Sequence, residues 1–544
     1  MISAREKSAH YEALQKEPTI AHLNSYNRHQ CLLHLPFDFS TRPIDEKEEI
    51  LAWIQRNILA GVTDYRIYHN ERMRRPFGLI LDTATIKEQI EFRSDPSINR
   101  KFISGRHYAS DILSNEVTEF ISFKTNTITP YGYVRGSRWG AATAKMNFRN
   151  LGILFGALAA SPEGEIKGLG ISSELLCMGL LVFPAIWNWY VHWQEARRGF
   201  FTASEEHMMR EAAGLCSVPG GWLYQVPSVA ENMKPIPGLV SQADIQDAKS
   251  DWPAACDKLA RYALLRAKEI NRIARIHRDP FEAILPILLA DRPVAEYKKI
   301  SDEIVSYMDD PFLDEMSYAK LVRSLLIIRL GLHLGFRQKN LRQLLLCEPG
   351  ERPTPERRLA ELGRGELRWN KGDHTWEVFV PTSAFKNSRS TFFGGQPYRV
   401  TLPDVSNLYL YMDIYVKSAR SVIMNHRPSA AEFFITANQF NTAASAYGMA
   451  NFYQAWRRIV QRFGIFNPYT QRGAIEGLLP HGPHSVRDVL ATHVLKETGS
   501  FEQAGFAIQD TPGMIAKHYG RFLAGEKAAM VAKILNRVWM EQPG

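Results

Sequence analysis

The sequence predicts a mainly helical protein that carries one small antiparallel β-sheet, an α+β arrangement. Three observations predict it. Apolar residues recur at helical spacing over most of the chain beyond about residue 110, often behind recognisable caps. Three short runs between residues 366 and 402 switch to period two. Finally, 45% apolar and 23% charged content over 544 residues is the composition of globular domains, with length for two to four of them.

The elements follow in order. Residues 1–110 form an N-terminal accessory region whose role the sequence does not state; within it Glu46 to Leu59 has apolar residues at helical spacing behind an acidic first turn. Residues 111–277 read as a helical domain. Thr143 to Gly156 predicts a helix carrying Lys145 and Arg149. Ser172 to Arg198 predicts a second, and Thr202 to Cys216 a third that opens with a Thr-x-x-Glu capping box at Thr202 and Glu205. The Pro/Gly-rich passage from Val218 to Gly238 reads as a loop or an interdomain connection. Leu259 to His277 predicts a linker helix with two faces. At 100° per residue Arg261, Lys268, Arg272 and Arg275 fall within about 60° of one another, and Ala263, Ala267, Ile270 and Ala274 fall opposite. Glu269 is the one acid set against that stripe, so the basic face suits a phosphate backbone.

Residues 278–544 read as one further domain. Met316 to His333 is a strong helix broken at Gly335, with Arg337 opening the next segment. Strands are expected at Glu366–Trp369, Trp376–Val380 and Tyr398–Leu402, with Lys386 in the turn after the middle one. Helices resume at Leu408, and Tyr447 to Phe463 is a long one. In the tail from Lys527 to Met540, residues Met530, Ile534 and Val538 make an amphipathic stripe.

A net charge of +9 favours a polyanionic partner. The five cysteines (Cys31, Cys177, Cys216, Cys256 and Cys347) are scattered and odd in number, which argues against a disulfide framework or a structural zinc site. His29, Cys31 and His34 lack a second cluster to complete a metal site. The polar N-terminus has no apolar signal core, and the greasiest stretch, Leu175 to Trp193, is interrupted by Pro184, Asn188 and His192. The expected location is cytoplasmic, at the nucleoid, with no membrane contact.

The chemistry is concentrated near the C-terminus. His484 and Arg487 stand one helical turn apart and can converge on one anion. Tyr519 follows Arg487 by 32 positions and can attack that anion. This is the arrangement needed to break a phosphodiester without metal, and it suggests a chain that cuts and rejoins DNA.

Arg337 after a glycine, Lys386 on a small sheet, the His484-x-x-Arg487 pair and then Tyr519 together resemble the tyrosine recombinase (phage integrase) family over roughly residues 279–525. A weaker resemblance, to that family's helical core-binding domain, covers roughly residues 115–225. The resemblance implies that Arg337 and Arg487 grip the non-bridging oxygens, that Tyr519 is the nucleophile with His484 as its base or hydrogen-bond partner, and that Lys386 protonates the leaving 5′-oxygen. Lys371 and Arg389 are rivals for the lysine's place. It implies a 3′-phosphotyrosyl intermediate, no cofactor and no metal, which fits a chain without a P-loop or a carboxylate cluster. It also implies a homotetramer on paired double-stranded DNA sites, integrating or excising a mobile element, with the tail helix docked on a neighbour; packing of that helix on its own domain is the alternative. Lys145, Arg149, Arg261, Lys268, Arg272 and Arg275 are the expected DNA contacts.

Two departures stand out. The family's His or Trp nine positions before the nucleophile is here Asp510, expected to cap the helix beginning near Pro512. The family's acid three residues after the first arginine is here Asn340. These leave open a DNA-binding protein on the same fold without strand transfer; a type IB topoisomerase or telomere resolvase of the same chemistry is a third reading.

Overall fold

The computed structural model describes residues 25–60, 78–81, 108–164, 166–274, 279–388, 390–425, 430–436, 446–523 and 535. The chain forms two compact units: Met1–Arg66 with Arg278–Gly544, and Ile67–His277. This division falls elsewhere than residue 110. The N-terminal helices Ser25–Leu32 and Ile44–Ile54 share a core with the C-terminal half through Phe39, Ile50, Ile54 and Ile58. Polar side chains fasten them: Arg457 Nη2 donates to the Leu59 carbonyl (2.6 Å), Gln461 to that of Ile58, and Asn467 to that of His34 (2.8 Å).

The described residues of the unit Ile67–His277 are mainly helical. Its main helices are Asp111–Thr125, Ala141–Ala159, Pro184–Arg198, Ala203–Cys216 and Trp252–Ile273. The expected capping box is formed: the Thr202 hydroxyl accepts from the Ser204 N–H, and Glu205 accepts from the Thr202 N–H at 2.8 Å. The Ala203–Cys216 and Trp252–Ile273 helices pack closely, because buried Ala212, Ala213, Ala263 and Ala267 let their backbones approach. The long helix expected from Ser172 begins instead at Pro184, preceded by two 3₁₀ turns. Proline fits the first helical position and disfavours helical geometry in the residue before it. The Pro/Gly-rich passage lies within this unit, with Trp222, Leu223, Val229 and Ala230 in the core.

In the other unit the Glu315–Leu334 helix is apolar on nearly every side. Leu325, Leu326, Ile327, Ile328 and Leu330 are all at or below 1% exposure, so it runs through the core rather than over it. Each such side chain contributes about 1.5–3 kcal/mol. A four-stranded sheet follows in the order β1 (Leu345–Cys347), β2 (Glu366–Asn370), β3 (Thr375–Val380), β4 (Tyr398–Thr401). The three expected strands pair antiparallel, with Leu367 opposite Val378 and Val378 opposite Val400. The sheet is mixed rather than antiparallel throughout, because β1, hidden in a leucine run, adds parallel to β2. Trp376, Val378 and Val380 point to the main core, whereas Phe379 covers Leu345 and Leu359 on the other face.

Gly335 ends the core helix with φ +55°, and a Cβ there would lie 2.8 Å from both the Ala507 carbonyl oxygen and the Leu490 side chain. Gly335→Ala is therefore expected to cost about 1–3 kcal/mol, read as a lower melting temperature with unchanged helical content by circular dichroism. A melting temperature equal to the parent's would contradict this account of the turn.

Candidate active site

Four segments of the unit Met1–Arg66 with Arg278–Gly544 bring the expected residues together. The core helix ends at Gly335, and the extended backbone of Arg337 forms the N-cap of the short helix Gln338–Arg342. This aims the Arg337 guanidinium at Asp510: Nη2 donates to Oδ2 at 2.8 Å. Arg487 comes from the first turn of the Ser485–Thr498 helix and is 1% exposed. Its Nη1 donates to the Gly335 carbonyl, and Nη2 lies 3.5 Å from the same Asp510 Oδ2. Among the described residues its Nε and Nη2 make no hydrogen bond. Burial, and then the Arg337 charge, lower its pKa to about 10, which leaves it positive at neutral pH. This leaves a buried cation with donors open to a further acceptor.

Asp510 is thus not the expected helix cap. Thr511 is the N-cap of Pro512–Tyr519, and no side chain caps that helix. The left-handed backbone of Gln509 (φ +53°) turns the Asp510 carboxylate toward the two guanidiniums instead. Its Oδ1 accepts from Asn387 Nδ2 at 3.0 Å and from the Thr511 N–H at 3.1 Å. The Asn387 bond ties the turn that carries Lys386 to the arginine cluster. Asn340 ties the same turn from below, donating to the Ala384 carbonyl at 3.1 Å. Asp510 is therefore the partner that orients Arg337, and Asn340 positions the lysine turn.

Lys386 is exposed and makes no ion pair among the described residues. Lys371 lies in the turn before β3, at the other end of a strand about 20 Å long. Arg389 lies outside the described residues. His484 occupies the N-cap position of the Arg487 helix. Crowding by protein and the guanidiniums of Arg487 and Arg337 hold its pKa well below the ordinary value. The residue remains more than one-third exposed, so the two guanidiniums, which face it whatever its burial, are the firmer cause. It is neutral at pH 7.

Tyr519 closes the Pro512–Tyr519 helix. Arg521 pairs with Asp279 (2.6 Å) and stacks on Phe281 and Phe522, whereas Tyr519 is 6% exposed with its ring against Phe281. Its hydroxyl donates to Asp488 Oδ1 at 2.7 Å and makes no bond to His484. Burial and the Asp488 charge push the phenol pKa well up. Asp488 was missed in the sequence because an acid in a helix's first turn has an ordinary reason to be there. Asn387 was missed because it sits beside the more reactive lysine.

The candidate DNA contacts belong to the unit Ile67–His277. Lys145 and Arg149 are exposed on the Ala141–Ala159 helix. On the Trp252–Ile273 helix Ala263, Ala267 and Ile270 are buried and the basic residues point outward. The stripe is less naked than expected. Arg261 pairs with Asp257 one turn earlier, and Glu269 is engaged by Arg266. Lys268 and Arg272 remain exposed without an ion pair among the described residues. Arg275 and the tail stripe Met530, Ile534 and Val538 lie outside the described residues. No described helix is long and apolar enough to cross a membrane.

No family model matches the chain, and no curated protein matches it. Among solved structures it is similar to the XerH site-specific recombinase bound to a palindromic difH substrate in a post-cleavage complex, with 16% identity, 64% of this chain and 89% of that chain covered, and a TM-score of 0.29. It is also similar to XerH bound to difH in a pre-cleavage complex, with 13% identity, 74% and 90% covered, and a TM-score of 0.29.

Proposed function

We propose that the chain is a DNA strand transferase that cleaves and rejoins a phosphodiester through Tyr519, acting as a site-specific recombinase or integrase on paired double-stranded sites. The observation that carries this reading is the convergence of Arg337 and Arg487 on one carboxylate oxygen, Asp510 Oδ2, with Tyr519 bonded to the residue after Arg487. A carboxylate oxygen between two guanidiniums marks where a non-bridging phosphate oxygen fits.

In this reading the scissile phosphate takes the two guanidiniums from Asp510, and their fixed charge stabilises the five-coordinate transition state. His484, neutral and exposed beside both, donates to a further phosphate oxygen. Lys386, exposed on its turn, gives its proton to the leaving 5′-oxygen. The covalent 3′-phosphotyrosyl link conserves the ester for rejoining, so neither metal nor nucleotide is needed. Lys145, Arg149, Lys268 and Arg272 contact the backbone of the duplex. Arg261 serves there once it exchanges Asp257 for phosphate.

One observation favours a second reading, a DNA-binding protein without strand transfer: the clamp is already satisfied by Asp510, and the tyrosine is buried. Nicked suicide duplexes tiled across the DNA flanking the gene separate the two. Strand transfer predicts a covalent protein–DNA adduct in the parent chain that is absent in Tyr519→Phe. Tight, sequence-specific binding with no adduct on any duplex establishes the second reading.

A further inference from the structure

We infer that Asp488 is the base that takes the proton of Tyr519 during cleavage, an assignment that rests on the strand-transferase reading. Its Oδ1 accepts the Tyr519 hydroxyl at 2.7 Å, a length typical of a hydroxyl bonded to a carboxylate. Among the described residues this is that hydroxyl's one hydrogen bond. Asp488 is 7% exposed and Tyr519 6%, so bulk water does not compete for the proton. Asp488 also follows Arg487 directly on the Ser485–Thr498 helix. The turn that anchors the phosphate clamp therefore places the base as well. His484, the base expected from the sequence, makes no bond to the phenol and stands beside two guanidiniums that disfavour an added proton.

The environment suits the task. Burial raises the Asp488 pKa to about 6, against the pull of the Tyr519 hydrogen bond and the Arg487 charge. At that value it is ionised at neutral pH yet more basic than an ordinary aspartate, which favours proton transfer in the transition state. The charged and titratable groups facing it are Tyr519 from the Pro512–Tyr519 helix and Arg487 from its own; Arg337 and Asp510 stand behind Arg487.

The step closes in atoms and charge. The Tyr519 O–H bond breaks and its proton passes to Asp488 Oδ1, while the phenolic oxygen bonds to phosphorus. The bond from phosphorus to the 5′-oxygen breaks, and that oxygen takes a proton from the Lys386 ammonium. Rejoining reverses each transfer. The 5′-hydroxyl returns its proton to Lys386, and Asp488 returns its own to the phenol.

The test uses the full chain and the same tiled nicked duplexes, after an adduct has been found for the parent. Asp488→Asn keeps the shape and removes the base. It is expected to slow adduct formation by about 10²–10⁴-fold with DNA affinity unchanged. Placing 3,5-difluorotyrosine at 519, whose phenol ionises more readily, is expected to recover at least a tenfold share of that loss in the Asp488→Asn chain. A carboxylate that merely anchored the ring would give no such recovery. Adduct formation at the parent's rate in Asp488→Asn overturns the assignment and leaves the strand-transferase reading standing. No adduct from the parent on any duplex overturns that reading, and the assignment with it. If Asp488→Asn does not fold, the pH profile of His484→Gln decides. A rate that levels off above about pH 7 supports a carboxylate base. A rate that climbs about tenfold per pH unit through pH 9 means the phenol ionises unaided, and excludes it.

Discussion

Replacing Arg487 with lysine is expected to slow single-turnover cleavage of a nicked duplex by about 10²–10³-fold, the usual cost of losing one preorganised donor from a developing oxyanion. The charge is nominally kept, but the geometry is not. Arg487 spends one arm on the Gly335 carbonyl and holds Nη2 toward Asp510, and among the described residues its Nε makes no hydrogen bond. A single ammonium cannot reach both places. At 1% exposure a lysine also loses part of its charge to desolvation, which an arginine resists. The substitution loosens the turn at Gly335 as well, so melting should be measured alongside the rate. A cleavage rate within threefold of the parent would remove Arg487 from the clamp.

Asp510→Asn is expected to have two opposite effects. Without the carboxylate, Arg337 and Arg487 face each other with less compensation, and the free protein should lose about 1–3 kcal/mol of stability. The same loss removes the internal competitor for phosphate. Sulfate should therefore bind the variant about tenfold more tightly than the parent, a difference of about 1.4 kcal/mol. Sulfate titrations followed by melting temperature measure both at once. The variant should start lower and climb further. Equal sulfate responses would mean that Asp510 does not occupy the anion's place.

Much of the helical frame was readable because local signals and tertiary packing agree. The Thr202–Glu205 capping box, the left-handed Gly335 and the buried face of Ala263, Ala267 and Ile270 are all settled within a few residues of sequence. β1 was not readable, since three residues in a leucine run carry no period of their own and acquire strand geometry by pairing with β2. The place of the N-terminal helices is a matter of long-range packing, which no local pattern records. The Asp257–Arg261 pair follows i,i+4 spacing, but Asp257 lies just before the Leu259 start of the predicted helix.

In the site, the spacing of His484, Arg487 and Tyr519 suggested an anion and an attacker. The structure brings Arg337, Arg487 and the Lys386 turn around one carboxylate. What the sequence could not give was partnership. Asp510 reads as a helix cap until the backbone turn at Gln509 is known, and Asp488 reads as a first-turn acid until the Tyr519 helix is packed against it.

Strand transfer as proposed leaves the cleaved DNA on Tyr519. Mass spectrometry of the trapped adduct, trimmed with nuclease and digested with trypsin, tests it most directly, because cleavage after Lys517 and Arg521 isolates His518-Tyr519-Gly520-Arg521. This four-residue peptide is expected to bear a nucleotide remnant joined through its 3′-phosphate to the tyrosine. A remnant on any other residue, or an adduct that persists in Tyr519→Phe, would contradict it.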